Sequence, residues 1–472
     1  MRIPMLFFGL TALLLASACG ASSTPEAPKA PPAPAVQPKA TYPAGSLVPR
    51  VQVAADTSQH YAVYLPKTYQ QAGTFPVLYL FDSHGRSTLP LKQYSSLADQ
   101  YGWVLIGSAN SRNGQQPQQS LAIYDALRKD TREKFFLDSA QVFVGGFSGG
   151  ARVAASIAQA RPGIAGVIAC GAGHRPTAQD KFAFIGLVGT EDFNYQEFKQ
   201  LEVTLAELQL DALVEYFTGG HEWPALPIMA KAFQYQQLRA MAHHRTPVDQ
   251  AAVDAMIARY SQQDLEFAGK GQNRYRHELQ QKTIAYLKGL ADTQPMEALY
   301  AELGSHPDVQ AYLQSADQDL QREMAMRQEY GAKLQTEPLE TWARIAGMLR
   351  KIGAAGGENG WLHMRVINFL SLNTYMNATG ALQASDLPAA DRYIAIYSMV
   401  DPGNSEHAVL RAEWLMRSGA PSDALASLDH AFQLGFRDWQ RLMADPAFQS
   451  LQAEAGFTTL VSRMQADPEP AH

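Results

Sequence analysis

The sequence has little cysteine. Its 472 residues include only two, Cys19 and Cys170, which excludes the disulfide frameworks that hold many small secreted domains together. Cys170 ends the apolar run Gly166–Cys170. We therefore expect it to be a small buried hydrophobic residue rather than a reactive thiol.

Charge is also sparse. Charged residues make up 18% of the chain and the net charge is −6, so nothing indicates the basic surface that a nucleic-acid partner requires. Hydrophobic residues make up 46%, which is typical of globular proteins. The length predicts more than one domain.

The N-terminal apolar run, Met5–Leu15, is too short to span a bilayer and ends in small residues before Cys19. This pattern predicts a cleaved export signal over residues 1–18. It resembles a bacterial lipoprotein signal, which implies that Cys19 becomes a lipidated N-terminus and that Gly20 permits sorting to the outer membrane. Ordinary cleavage after Ala18, or slightly downstream, would instead give a periplasmic or secreted protein.

Residues 19–45 are rich in proline and alanine and have almost nothing to bury. Proline keeps such a segment extended, so we expect a semi-rigid tether. A tether of this kind would hold the folded part of the chain away from a membrane surface.

Apolar runs alternate with helical patterns from residue 46 to residue 244. A continuous apolar strand that is followed by a helix predicts a parallel sheet covered on both faces. The predicted strands include a hairpin, Val51–Ala55 and His60–Pro66 with its turn at Asp56–Ser58, followed by Pro76–Phe81, Trp103–Gly107, the strand before Ser148, Gly166–Gly171, Phe182–Gly189 and Leu213–Phe217.

The segment Gly146–Gly150 stands between one of these strands and the helical stretch Ala151–Ala160. A strand, a sharp glycine-rich turn and a helix together lift the serine at the apex clear of the sheet. We interpret Ser148 as a catalytic nucleophile. The amide of Gly149 would then point to where an oxyanion forms.

Polar residues follow three further strands. Asp82–Arg86, Glu191-Asp192 and His221–Trp223 each come directly after a predicted strand or a short glycine turn. Because sites of parallel sheets form at the carboxyl ends of the strands, these residues are expected to lie near Ser148. Along the chain the order is serine, acid, histidine.

This order resembles the α/β-hydrolase fold, and within it the esterase group of polyhydroxybutyrate depolymerases and feruloyl esterases. The resemblance covers about Val48 to His244 and is carried by the sequences GFSGG, GTED and GGHEW. It implies a doubly wound, mostly parallel sheet over residues 46–244 and a serine hydrolase activity. Such chemistry needs neither a cofactor nor a metal.

The chemistry assigns a role to each residue. A serine hydroxyl needs a neighbouring imidazole to remove its proton, and His221 is the candidate base. A carboxylate must fix the histidine tautomer. Asp192 matches the family's G-x-x-D position, and Glu191 is the alternative.

The other site residues are less fixed by the pattern. The second oxyanion donor should come from the loop after Phe81, as the amide of Ser83 or of His84. Trp223 and Tyr195 could wall the substrate site, although simple packing is the alternative. His243-His244 lack a metal-ligand pattern, so we expect no metal site.

Strand signals stop after His244. Helices are predicted over residues 245–360, among them Met296–Leu313 and Leu320–Leu334. Over residues 361–472, Ala390 and Ala424 lie 34 residues apart, which is the tetratricopeptide period. This all-α segment resembles degenerate tetratricopeptide repeats, which implies either partner binding or docking against the hydrolase domain.

The sequence therefore predicts an exported, lipid-anchored esterase that acts through an acyl-Ser148 intermediate on a small ester. Carbohydrate acyl esters, short polyester fragments and aliphatic esters remain open as substrates. An amidase or peptidase with the same triad is one alternative. A surface binding protein that acts through its repeats is another.

Overall fold

The computed structural model describes residues 42–70 and 72–467, which belong to one compact unit. The predicted signal peptide, Cys19 and most of the tether lie outside these residues. Within the described ranges, every helix is too short or too polar to cross a bilayer.

The first half of the unit contains an eight-stranded sheet in the order β1-β2-β4-β3-β5-β6-β7-β8. β2 pairs antiparallel with β1 and with β4, and the remaining pairs are parallel. This is the predicted α/β-hydrolase arrangement. The strands are β1 (Ser46–Val53), β2 (Asp56–Leu65), β3 (Phe75–Asp82), β4 (Val104–Ser108), β5 (Leu137–Phe147), β6 (Gly166–Cys170), β7 (Ala183–Gly189) and β8 (Ala212–Phe217).

The predicted hairpin turn was placed wrongly. Val53 pairs with Asp56, so the turn consists of Ala54 and Ala55, and β2 already begins at Asp56. The buried side chains of Val51 and Val53 set this register, because a slip by one residue would turn both toward solvent. Asp56 is a polar residue at an exposed strand end rather than a turn residue.

Five helices cover both faces of the sheet: α1 (Leu89–Tyr101), α2 (Pro117–Lys134), α3 (Gly149–Ala160), α4 (Tyr195–Glu207) and α5 (Leu226–Ala242). α1 and α5 pack on one face, where the rings of Trp103 and Phe143 stack at 4.3 Å. α2, α3 and α4 pack on the other face around Tyr124 and Phe198. The sheet is therefore doubly wound, and a site is expected at the carboxyl ends of its strands.

The second half is entirely helical in the described residues. Its helices are α6 (Gln250–Gly269), α7 (Asn273–Leu287), α8 (Gln294–Gly304), α9 (Pro307–Lys333), α10 (Leu339–Gly353), α11 (Gly357–Gln383), α12 (Leu387–Val400), α13 (Glu406–Arg417), α14 (Pro421–Gln433), α15 (Trp439–Ala444), a 3-10 helix (Pro446–Ala453) and α16 (Ala455–Ala466).

Two sequence predictions for this region were wrong. The predicted helix Met296–Leu313 is broken before Pro307, because a proline forces the preceding His306 into an extended conformation, here with ψ at 136°. The predicted domain boundary at 360–361 falls inside α11, which runs without a break for 27 residues.

The two alanines of the 34-residue period occupy comparable places. Ala390 lies in α12 and Ala424 in α14, and both are fully buried. Small side chains at these positions allow neighbouring helices to approach closely. The tetratricopeptide assignment and its partner remain predictions.

Candidate active site

The serine turn, residues 146–150, depends on the absence of side chains. Ser148 has φ +54°, a conformation that costs a non-glycine residue energy and is found at functional turns. Its amide donates to the carbonyl oxygen of Cys170 at 2.8 Å. A Cβ on Gly150 would lie 1.9 Å from the carbonyl oxygen of Phe81, and one on Gly146 would lie 2.4 Å from Gly150. The turn therefore packs directly on the backbone of β3.

Three side chains form a hydrogen-bonded series at the carboxyl edge of the sheet. Ser148 Oγ lies 2.9 Å from His221 Nε2, and His221 Nδ1 lies 2.9 Å from Asp192 Oδ2 and 3.0 Å from Oδ1. The Asp192 side chain is 1% exposed. The Asp192 carboxylate accepts a hydrogen bond from the Nδ1–H of His221, which leaves Nε2 free to accept one from the serine hydroxyl. Asp192, and not Glu191, lies against His221.

Two residues that the sequence analysis missed shape this series. Gly171 follows β6 with φ +66°, and a Cβ there would lie 3.2 Å from both Asp192 Oδ2 and His221 Cε1. Phe193 lies with its ring centroid 4.1 Å from that of His221. Gly171 could have been found as a glycine directly after a strand, whereas Phe193 carries no signal of its own.

The two predicted oxyanion donors of the β3 loop differ in orientation. The register pairs Asp82 with Phe147, which places Ser83 beside Ser148. The amide of His84 instead donates to Asp82 Oδ1 at 2.8 Å, so its prediction as a donor was wrong. The amide of Ser83 has no acceptor among the described residues, and it joins the Gly149 amide at the start of α3 as a candidate.

A buried carboxylate ties the β3 loop to the histidine loop. Asp82 is 1% exposed, and it accepts two hydrogen bonds from Arg86 and one from Trp223 Nε1, each at 3.0 Å. Burial by itself would raise the pKa of Asp82, but these donors, with Arg86 foremost, hold the pKa below its usual value. The loop that carries His221 is thereby fixed to the end of β3.

Trp223 and Tyr195, the two residues predicted to line the substrate site, make packing contacts instead. Trp223 is 8% exposed, and its ring packs against Phe147 and Tyr94, so it anchors the histidine loop instead of lining an open pocket. Tyr195 lies beneath Arg365, whose guanidinium carbon is 4.2 Å from the ring centroid. Tyr195 thus packs between the sheet region (β1 to α5, residues 46–242) and the helical region (α6 to α16, residues 250–466).

The described residues contain no cluster of three or more histidine, cysteine, aspartate or glutamate side chains suited to a metal ion. His243, one of the adjacent histidines, has Nε2 2.7 Å from Asp211 Oδ2. It therefore forms an ordinary contact near the end of α5.

No protein-family model matches the chain, and no curated protein matches it. Among solved structures, it is similar to the fluorophosphonate-binding serine hydrolase FphF of Staphylococcus aureus, with 12% identity over 40% of this chain and 98% of that one at a TM-score of 0.34. The S-formylglutathione hydrolase FrmB of the same organism matches with 14% identity over 43% and 98% at 0.32.

Esterase B from Lactobacillus rhamnosis matches with 15% identity over 43% of this chain and 90% of its own, at a TM-score of 0.34. The fold assignment itself comes from the strand order and register of this chain.

Proposed function

We propose that the protein is a serine hydrolase that cleaves carboxylic esters through an acyl-Ser148 intermediate. The observation that carries the proposal is the unbroken hydrogen-bond path from Ser148 Oγ through His221 to Asp192. A serine, a histidine and a buried carboxylate in this geometry activate a hydroxyl that is otherwise a weak nucleophile.

In the first half of the reaction, Ser148 Oγ attacks the ester carbonyl carbon while His221 Nε2 takes the hydroxyl proton. Asp192 stabilises the resulting imidazolium through the Nδ1 hydrogen bond. The amides of Gly149 and Ser83 donate to the oxygen that becomes negatively charged. In a comparable site, removal of one such donor lowers kcat about 10²–10³-fold. Collapse of the intermediate breaks the carbon–oxygen bond, and His221 returns the proton to the leaving alcohol.

In the second half, a water molecule attacks the acyl carbon and His221 Nε2 accepts its proton. The new tetrahedral intermediate collapses to the free acid, and the proton passes back to Ser148 Oγ. Every proton is accounted for by the three side chains, the substrate and water.

A fluorophosphonate probe tests the nucleophile directly on the full chain. We expect the wild type to be labelled, Ser148→Ala to lose labelling, and Ser120→Ala, a buried serine of α2, to be labelled normally. A wild type that resists labelling would favour the binding-protein alternative. Labelling that persists in Ser148→Ala would place the nucleophile elsewhere.

Chromogenic substrates then decide the bond and the acyl group. Esters and amides that share one acyl group should be cleaved at rates that favour the ester, and faster amide cleavage would favour the peptidase alternative. A series of increasing acyl length, alongside feruloyl esters and acetylated sugars, would identify the substrate class.

We also propose that the enzyme is exported and anchored through Cys19, from the sequence of residues 1–20. Metabolic labelling with a radioactive fatty acid should mark the wild type but not Cys19→Ser. An unlabelled wild type that is recovered from the medium or the periplasm would favour ordinary signal cleavage.

A further inference from the structure

The acid loop, residues 190–193 between β7 and α4, carries Asp192 and is held by the helical region. Three side chains of α9 and α11 donate hydrogen bonds to its backbone carbonyl oxygens: Arg365 Nη1 to Thr190 at 2.7 Å, Asn368 Nδ2 to Glu191 at 2.9 Å and Arg327 Nη2 to Phe193 at 2.9 Å. Of the four residues in the loop, only Asp192 is left without such a contact. Hydrogen bonds from α9 and α11 thus hold the loop on both sides of Asp192.

A buried glutamate holds the two arginines that bind the acid loop. Glu323 of α9 is fully buried, and its two carboxylate oxygens lie 2.6 Å from Arg365 Nε and from Arg327 Nη2. A buried charge is tolerated when it is paired, and here Arg365 Nε donates a hydrogen bond to Glu323 while Arg327 forms an ion pair with the other carboxylate oxygen. Arg365 Nη1 is thereby directed at the Thr190 carbonyl, and Arg327 Nη2, which lies beside Glu323, donates to the Phe193 carbonyl.

The charges of this cluster extend to the active site. Two arginines and one glutamate leave an excess positive charge, which faces the carbonyl dipoles of the loop. Burial lowers the pKa of the Arg327 guanidinium, and the carboxylates of Glu323 and Asp192 act against that shift. Asp192 therefore interacts with the cluster electrostatically as well as through the backbone.

Ring contacts restrict the same groups further. The guanidinium carbon of Arg327 lies 4.8 Å from the ring centroid of Phe369, and Arg365 stacks on Tyr195, the first residue of α4. A planar guanidinium that is stacked and paired loses little further freedom when it binds. Phe193, at the end of the acid loop, in turn lies against the His221 ring.

We propose that Arg365, Asn368 and Arg327 are positioning residues for Asp192, so that the helical region is part of the hydrolytic machinery. They act through the backbone of the acid loop and set the distance between the Asp192 carboxylate and His221 Nδ1. The inference rests on the proposed function. A displacement of about 1 Å in such a site can lower the rate about 10²-fold.

Two variants test the inference, each with a matched control on the full chain. Asn368→Leu removes the hydrogen bond to Glu191 without leaving a charge unpaired. Its control is Asn373→Leu on the same helix, where the Asn373 amide donates to the helix's own Phe369 carbonyl. Arg365→Lys keeps a positive charge but cannot reach Glu323 and Thr190 together.

The control for Arg365→Lys is Arg350→Lys, because Arg350 donates to two carbonyl groups within the helical region, at the end of α12. We expect kcat to fall about 10- to 100-fold in Asn368→Leu and Arg365→Lys, with KM within about twofold of the wild type. Both controls should keep the wild-type kcat at comparable melting temperatures. If the controls lost as much kcat, the loss would be explained by general destabilisation, and the inference would be overturned.

A second measurement does not depend on turnover. In protein labelled with ¹⁵N-histidine, the proton between His221 Nδ1 and Asp192 gives a downfield resonance that His221→Gln removes. We expect this resonance to be broadened or shifted upfield in Asn368→Leu and Arg365→Lys, and to be unchanged in the controls. An unchanged resonance in folded Asn368→Leu would overturn the inference even if Arg365→Lys failed to fold. A wild type that cleaves no ester would refute the proposed function, and the resonance would still decide whether the helical region positions Asp192.

Discussion

The serine turn and the acid loop meet at His221 but differ in what holds them. The serine turn is held by backbone contacts with neighbouring strands of its own sheet, through missing side chains and the Ser148 amide. The amides of Thr190 and Glu191 in the acid loop donate to the backbone of Phe217 and Gly219. The loop's carbonyl oxygens, however, accept hydrogen bonds from side chains that lie 134 to 177 residues further along the chain. The serine turn is thus specified by a short stretch of sequence, whereas the acid loop also depends on contacts with the distant helices α9 and α11.

The contrast between the serine turn and the acid loop is tested most directly by replacing the Asp192 carboxylate. Asp192→Asn should lower kcat about 10⁴-fold, because the amide would favour the wrong tautomer of His221. Glu191→Gln is its control and should stay near wild-type activity, since Glu191 is held through its backbone: its carbonyl accepts from Asn368 and its amide donates to Gly219. A large loss in Glu191→Gln with an active Asp192→Asn would reverse the assignment of the acid.

At the serine turn, an added methyl group should destabilise the fold more at Gly150 than at the adjacent Gly149. Gly150→Ala places a Cβ 1.9 Å from a carbonyl oxygen of the central strand β3, so we expect a loss of at least about 3 kcal/mol in unfolding free energy. Gly149→Ala meets only the exposed Asn113 side chain, which can turn away. Denaturant unfolding of both variants measures the difference. Equal losses would mean that the turn does not depend on its approach to β3.

A carboxylate that links two loops should have an intermediate effect. Asp82→Asn removes the buried partner of Arg86 and should cost about 2–3 kcal/mol at pH 7. Because the folded-state pKa of Asp82 is lowered, its contribution is present above the unfolded-state pKa of about 3.9 and is lost as the pH falls through the folded value. The difference between wild type and variant should therefore shrink below about pH 4.

Asp125→Asn is the matched control for this variant. Asp125 accepts the same pair of hydrogen bonds from Arg161, but its side chain is 47% exposed. An exposed pair contributes at most about 1 kcal/mol. Losses of equal size in the two variants would show that burial of Asp82 adds nothing.

The smallest effect is expected at the histidine loop. Trp223→Phe keeps most of the ring packing and removes the hydrogen bond to Asp82, at a cost of about 1–2 kcal/mol. We expect kcat to fall a few fold while KM stays constant, since Trp223 is buried. Trp414→Phe, which removes an indole bond to a carbonyl in the helical region, should leave kcat unchanged. A rise in KM for Trp223→Phe alone would restore Trp223 to the substrate site.

The contrast explains what the sequence could and could not predict. Ser148, Asp192 and His221 follow three strands of a parallel sheet, and glycines mark the turns, so local pattern is enough to select them. The choice between Ser83 and His84 depends on which amide the Asp82 carboxylate binds, and that requires the folded loop. Trp223 and Tyr195 follow strands as well, but their rings are taken up by packing contacts.

The contacts on the acid loop had no signal in the sequence. Arg365 and Asn368 stand in an unremarkable helical stretch, and their acceptors are carbonyl oxygens, which every residue possesses. The break before Pro307 is different, because the proline was visible and a helix drawn across it ignored a known restriction on the preceding residue.

Hydrogen bonds to carbonyl oxygens also affect how the acid loop can change during evolution. A hydrogen bond to a backbone oxygen is indifferent to the side chain of the residue that supplies it. The side chains of Thr190 and Glu191 can therefore change without loss of these hydrogen bonds, while the carboxylate between β7 and α4 stays in place. Arg365 and Asn368 have no such freedom, so natural or laboratory evolution of specificity should spare the distant helix and change the loop beside the chemistry.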